Sequence, residues 1–252
     1  MRAAPRPPDD QGDLADVKPS RAAAFIGDLI NNSIDTHDHA GLERAVGLGE
    51  KLLQRDMDPA IRATVCYFIG NAWAGLRAIR HGDPQSHSAW EHPEAANEIL
   101  WYRRAMTDPG FETMPAATRC QNLTNLGNVF SHIGRFVEAI ELWERALAVD
   151  TSFGMAMGNR GFGLLFYGNA LYDDGQSPVF FSHAHALLVD SLKLQLTPEA
   201  RCKFRGHNKR LWGELDSHLL RSDVKARHDK MVGLVEREPG SHKQLPMPHV
   251  RR

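Results

Sequence analysis

The sequence predicts an all-α protein of stacked antiparallel helix pairs, an irregular α-solenoid. Three observations lead there. Apolar residues recur at helical spacing from about residue 20 to about residue 220, and no stretch alternates apolar and polar as a half-buried strand does. Gly, Pro and short polar runs cut that pattern into segments of helix length. One segment also spaces its small and aromatic residues as two packed helices require. Leu123, Leu126, Gly127 and Phe130 lie on its first helix, Gly134 at the turn, and Ala139, Trp143 and Ala146 on its second. Such a pair has two apolar faces and buries only part of them, so neighbours must stack on both sides.

Residues 1–19, rich in Pro and Asp, are expected to form a disordered arm. A helix begins after Pro19-Ser20, with Ser20 as its cap and Ala23, Phe25, Ile26, Leu29 and Ile30 as its apolar face. The polar run Asn31 to Asp38 breaks the pattern, and a second helix runs from His39 to Arg55, stopped by Pro59. The second pair starts near Ala60, where Ile61, Val65, Phe68, Ile69 and Trp73 make a stripe. Gly70-Asn71 stands there as Gly127-Asn128 does in the best segment. A His-, Ser- and Pro-containing loop, His81 to Glu91, precedes its second helix, Pro93 to Met106.

The third pair is the clear one, Ala116 to Asp150. The fourth opens on Gly154-x-x-x-Gly158-Asn159-Arg160-Gly161, meets a loop at Asp173 to Pro178, and continues as a helix from Val179 to Leu194. A helix from Glu199 to Leu220 carries Phe204, Leu211, Trp212, Leu215 and Leu219 at helical spacing. The repeat domain is expected over 20–220, with its best unit at 120–153. A short basic helix (Asp223 to Val235) and a frayed tail are expected over 221–252.

Composition excludes several classes. The formal net charge is -1, so the whole molecule carries no strong field for nucleic acid or anionic membrane. That average hides an asymmetry: from Arg201 onward Lys/Arg outnumber Asp/Glu 13 to 6, while residues 1–200 hold 17 against 25. Cys66, Cys120 and Cys202 are odd in number and far apart, with neither a disulfide framework nor zinc spacing. Cys66 and Cys120 fall in apolar helical patterns and read as small buried hydrophobes, which favours a reducing cytoplasm. The N-terminus lacks the apolar run of a signal peptide, and no stretch is long and apolar enough to span a membrane.

The segment Leu123 to Ala146 resembles a tetratricopeptide repeat (TPR), with Thr151 where the family usually has Pro. The resemblance implies a right-handed superhelix whose first helices line a concave groove that takes an extended peptide or partner helix. It also implies a candidate partner-contacting set: Asn71, Thr124, Asn128, His132, Asn159, Arg160, Arg201 and Arg205. One subset of the family clamps a C-terminal carboxylate with two Asn and several cations. Asn128 and Asn159 match its asparagines, Arg201, Lys203 and Arg205 lie where its cations would fall, and Thr124 replaces another cation. The run from Gly127 into Gly161 also resembles bacterial TPR proteins that continue into a HEPN-type ribonuclease domain, which use an Arg and a nearby His. Here Arg221 and His228 fit that loose pattern. The alternative reading is therefore a regulatory or remnant module of an RNA-cleaving system, touching RNA phosphates through its basic end.

Other chemistry is absent or weak. Asp35, His37, Asp38 and His39 cluster in an expected turn with no distant metal ligand, so no metal is expected. His183 and His185, two apart on a helix, diverge. Gly158, Gly161 and Gly163 lie on a helix rather than after a strand, which argues for close helix contacts and against a nucleotide loop. No cofactor and no active site are expected. The tryptophans should be core, except Trp90, whose loop position leaves it either folded back on the solenoid or anchoring a partner. The function expected is a cytoplasmic protein- or peptide-binding scaffold, not an enzyme.

Overall fold

The computed structural model describes residues 14–82, 89–171 and 176–206 apart from Glu199. Among them are eight bounded α-helices and no strand: α1 (Pro19–Asp35), α2 (His39–Leu52), α3 (Pro59–His81), α4 (Pro93–Thr107), α5 (Ala116–His132), α6 (Phe136–Val149), α7 (Gly154–Ala170) and α8 (Ser177–Leu192). Residues 200–206 are helical as well. Pairs α1/α2, α3/α4, α5/α6 and α7/α8 pack internally, and each second helix also packs on the first helix of the next pair. First helices touch one another, α1 on α3 and α5 on α7. They form the inner layer, and the second helices lie outside it.

Several boundaries differ from the sequence reading, each for a local reason. Pro19 rather than Ser20 opens α1; Pro needs no partner for a missing N–H, and Lys18 at the cap makes no side-chain bond. By the same logic Pro59 starts α3 instead of stopping α2, with the Asp58 carboxylate accepting from the Ala60 and Ile61 amides. The polar run from Asn31 does not break α1, which continues to Asp35 with its polar residues mostly facing out. The turn comes at His37, whose φ is 56°. Within the expected arm, 14–19 are folded. Leu14 is buried in the core, and its carbonyl accepts from Arg55 Nη1 at 2.8 Å. Residues 1–13 and 207–252, including the expected Asp223 to Val235 helix, lie outside the described residues.

One core runs from Leu14 to Ala156, and a second surrounds α7, α8 and 200–206. In the third pair, Trp143 of α6 is 1% exposed and lies over Gly127 of α5. A Cβ there would come within 2.6 Å of the indole nitrogen, so only glycine admits the ring. The second pair repeats the device: Tyr102 of α4, fully buried, covers Gly70 of α3, where a Cβ would stand 2.5 Å away. In the fourth pair a Cβ on Gly161 would sit 3.0 Å from the Ala184 carbonyl on α8. The glycines of α7 are close-contact positions, as expected. Gly134, at φ 82°, makes the short α5–α6 turn that side-chain-bearing residues rarely adopt.

Candidate binding groove

The inner layer is tied together by side-chain amides. Asn71 Oδ1 on α3 accepts from the Tyr102 hydroxyl (2.8 Å) and from Asn125 Nδ2 on α5 (2.9 Å). One pair later the pattern returns: Asn128 Oδ1 on α5 accepts from Trp143 Nε1 (3.2 Å) and from Asn159 Nδ2 on α7 (2.9 Å). Register explains the repetition. Asn71 and Asn128 come one residue after the socket glycines Gly70 and Gly127, and Asn125 and Asn159 precede Gly127 and Gly161 by two. Each rung joins neighbouring first helices and also takes the aromatic donor of its own pair. The third rung departs: Phe162 comes after Gly161, and Lys203 Nζ lies 5.3 Å from its ring centre.

The rungs leave one amide atom each on Asn125 (Oδ1), Asn128 (Nδ2) and Asn159 (Oδ1) without a hydrogen-bond partner among the described residues, whereas the Asn71 amide also meets the Tyr67 hydroxyl. The unspent atoms therefore alternate donor and acceptor. Asn71, Asn125 and Asn128 are half-buried, and Asn159 is nearly covered. No formal charge lies on this stripe of amides. A further bond, Tyr67 Oη to Gln121 Oε1 at 3.2 Å, joins α3 to α5 a turn earlier. Burial holds the Tyr102 phenol well above its ordinary range, so it is a neutral donor.

At the edge where first helices end and second helices begin, the connection is ionic. Arg77 and Glu98, with side chains 5% and 3% exposed, pair at 2.9 Å, and Arg77 Nη2 also reaches His132 Nδ1 at 3.3 Å. Burial holds the Glu98 carboxyl up at about 7 against the pull of Arg77. Arg80 binds Glu94 (2.5 Å), Glu43 (3.0 Å) and His39 Nε2 (2.7 Å), and His81 binds Glu94 at 3.1 Å. His81 also stacks on His92 at 3.7 Å.

Not every residue of the expected set lines the groove. Thr124 does not: it is 2% exposed, and its backbone carbonyl accepts from Trp143 Nε1 at 3.2 Å. Arg201 caps α8 instead, donating to the Leu192 and Leu194 carbonyls at 2.6 and 3.0 Å. Arg160 pairs with Glu144 on α6 at 2.6 Å. Arg205 is exposed. Arg160 and Arg201 are thus engaged within the chain, while Lys203 and Arg205 are exposed. Trp90 is 67% exposed in a 3-10 turn, and its neighbour Ala89 is the residue that tucks in. Asp38 caps α2, and His39 faces Arg80, so that acidic and histidine cluster does not converge.

Among the described residues no group of His, Cys, Asp and Glu could hold a metal ion. Cys66 and Cys120 are buried, and burial pushes the Cys66 thiol up to about 11. Arg221 and His228 lie outside the described residues. The reading of the sequence missed Asn125, Gln121, Tyr102 and Arg77. The shared offset of Asn125 and Asn159 from their glycines could have found the first.

Helix pairs with glycine-aromatic sockets, stacked so that first helices form the inner layer, define a TPR-like helical repeat. A solved structure agrees: a kinesin light chain-like protein of Podosopora anserina with nearly identical TPR-like repeats. It superposes with a TM-score of 0.50 at 13% identity, over 88% of this chain and 100% of that one. At that identity the likeness is one of fold. No protein-family model and no curated protein matches the chain. No helix among the described residues is long and apolar enough to cross a membrane.

Proposed function

We propose that this chain binds an extended, uncharged stretch of a partner protein along the face of α3, α5 and α7. The observation that carries the reading is the repeated asparagine rung. Asn125, Asn128 and Asn159 each keep one amide atom unspent, and an extended peptide backbone presents C=O and N–H groups in alternation. Amide side chains held rigid by a second hydrogen bond lose little entropy on binding. Backbone recognition of this kind tolerates many ligand sequences. The module is read as a binding scaffold with no chemistry of its own.

Selection of linear peptides from a displayed random library tests this. Selected peptides should lose about tenfold in affinity for each of Asn125→Ala and Asn128→Ala, the value of one hydrogen bond. They should be indifferent to Arg145→Ala on the outer face of α6. Peptides that respond to the outer substitution and ignore the asparagines would sink the reading.

A further inference from the structure

The groove asparagines are not free to invert their amides. An indole N–H donates and never accepts, so Trp143 fixes Asn128 with its oxygen towards the ring. That oxygen takes its second bond from Asn159 Nδ2, which leaves Asn128 Nδ2 and Asn159 Oδ1 unspent among the described residues. On α3 the Tyr67 hydroxyl donates to Gln121 and so accepts from the Asn71 amide nitrogen. Asn71 Oδ1 is thereby turned to Tyr102 and to Asn125 Nδ2, and Asn125 Oδ1 stays unspent. Crossing from α3 towards α7, the unspent atoms come as acceptor (Asn125), donor (Asn128) and acceptor (Asn159).

We infer that the groove reads one edge of an extended strand and requires two ligand N–H groups, on residues two apart, with a C=O between them; this rests on the peptide-binding reading above. On an extended chain the N–H and C=O of one residue point to the same edge, and those of the next residue point to the other. One edge therefore offers N–H, C=O and N–H again over two residues, a rise of about 7 Å. Asn125 and Asn128, three apart on α5, hold their Cβ atoms about 5–6 Å apart, and Asn159 lies directly against Asn128. The order and the span both fit.

Other uncharged groups fit less well. A side-chain carboxamide also has two donors and one acceptor, but both donors sit on one nitrogen and cannot flank its oxygen. A carboxylate has acceptors alone and would face two more on the chain. The strand edge also sets a sequence rule that side-chain contacts do not. Proline lacks the N–H, so it is excluded at both N–H positions and admitted at the residue between, whose N–H points away from the asparagines.

Backbone ester substitution tests this, because it replaces one N–H by oxygen and keeps the side chains of the peptide. Synthetic copies of the library-selected peptides, substituted one residue at a time, are titrated against the full chain. Two positions, two residues apart, should each lose about tenfold in affinity, the value of one hydrogen bond, while the residue between changes less than about twofold. Against Asn125→Ala one of the two losses should vanish, and against Asn159→Ala the other. The scan alters only the ligand, so it decides the matter even where a variant chain fails to fold. Losses at adjacent residues, at one position or at none overturn the inference. So does a flat scan in peptides that weaken on replacement of a Gln or Asn, which would assign the groove to a side-chain carboxamide. Peptides that ignore Asn125 and Asn128 sink the groove reading and this inference with it. Peptides that need both asparagines but lack the alternate pattern sink the strand edge alone.

Discussion

The second and third helix pairs solve one packing problem with different connections. Both seat an aromatic ring over a glycine, Tyr102 on Gly70 and Trp143 on Gly127, and both aim that ring's donor at the asparagine one residue on. In the third pair Gly134 closes a short turn and the ends need nothing more. In the second pair α3 runs on to His81 before the chain returns at Pro93, and its last two turns carry Arg77, Arg80 and His81. Those residues reach Glu94 and Glu98 on α4, Glu43 on α2 and His132 on α5. The long connection gives up local closure and replaces it with long-range ion pairs. Position along the array therefore decides where charge is buried, while the rung chemistry stays constant.

The largest test of the shared device is Trp143→Ala. Removing a fully packed ring and leaving a cavity should cost about 3–5 kcal/mol in urea unfolding. It should also free Asn128 Oδ1 of one donor, so ligand binding should weaken with stability. A loss below about 1 kcal/mol would mean that the third pair collapses onto the gap and the socket is not what holds it.

Glu98→Ala tests what only the second pair has. Leaving Arg77 buried without its carboxylate should cost about 3 kcal/mol, whereas Arg77→Met with Glu98→Leu should be near neutral. An equal loss in single and double variants would assign the effect to packing. The same pair sets a pH dependence. The Glu98 carboxyl is raised from its ordinary 4.5 to about 7 by burial, so between those values the folded chain holds a proton that the unfolded chain has released. Its contribution to stability is therefore full below about 4.5 and is lost as pH rises through about 7. Glu98→Gln should flatten that slope in urea unfolding.

The fold was legible because its signals are local. Gly127, Trp143 and Gly134 each mark a close approach or a turn, and Pro19, Pro59 and Pro93 each sit at a helix boundary. Even so, Pro59 reads equally well as a stop or a start; Asp58 decides it, by capping α3. The candidate site was legible only in part. Asn71, Asn128 and Asn159 stood out beside glycines, but the roles of Thr124, Arg160 and Arg201 depend on rotation about a helix axis that sequence spacing does not fix. A residue one position off the inner stripe, as Thr124 is, is buried rather than presented to a ligand. Long-range partners such as Arg77 and His132, 55 residues apart, leave no periodic trace.

The smallest effect bears most directly on the comparison. Tyr102→Phe keeps the ring over Gly70 and removes only the hydroxyl that donates to Asn71 Oδ1, an acceptor that still has Asn125. The cost should be about 1 kcal/mol, well below that of Trp143→Ala, because one hydrogen bond is lost and no cavity opens. If the rung acts as a unit, Tyr102→Phe and Asn71→Ala should be non-additive in a double-mutant cycle, with a coupling of about 0.5–1 kcal/mol. Additivity would mean that the phenol and the amide are merely neighbours. In that case the resemblance between the two pairs would stop at the glycine socket, and the asparagines would be positioned by the helices alone.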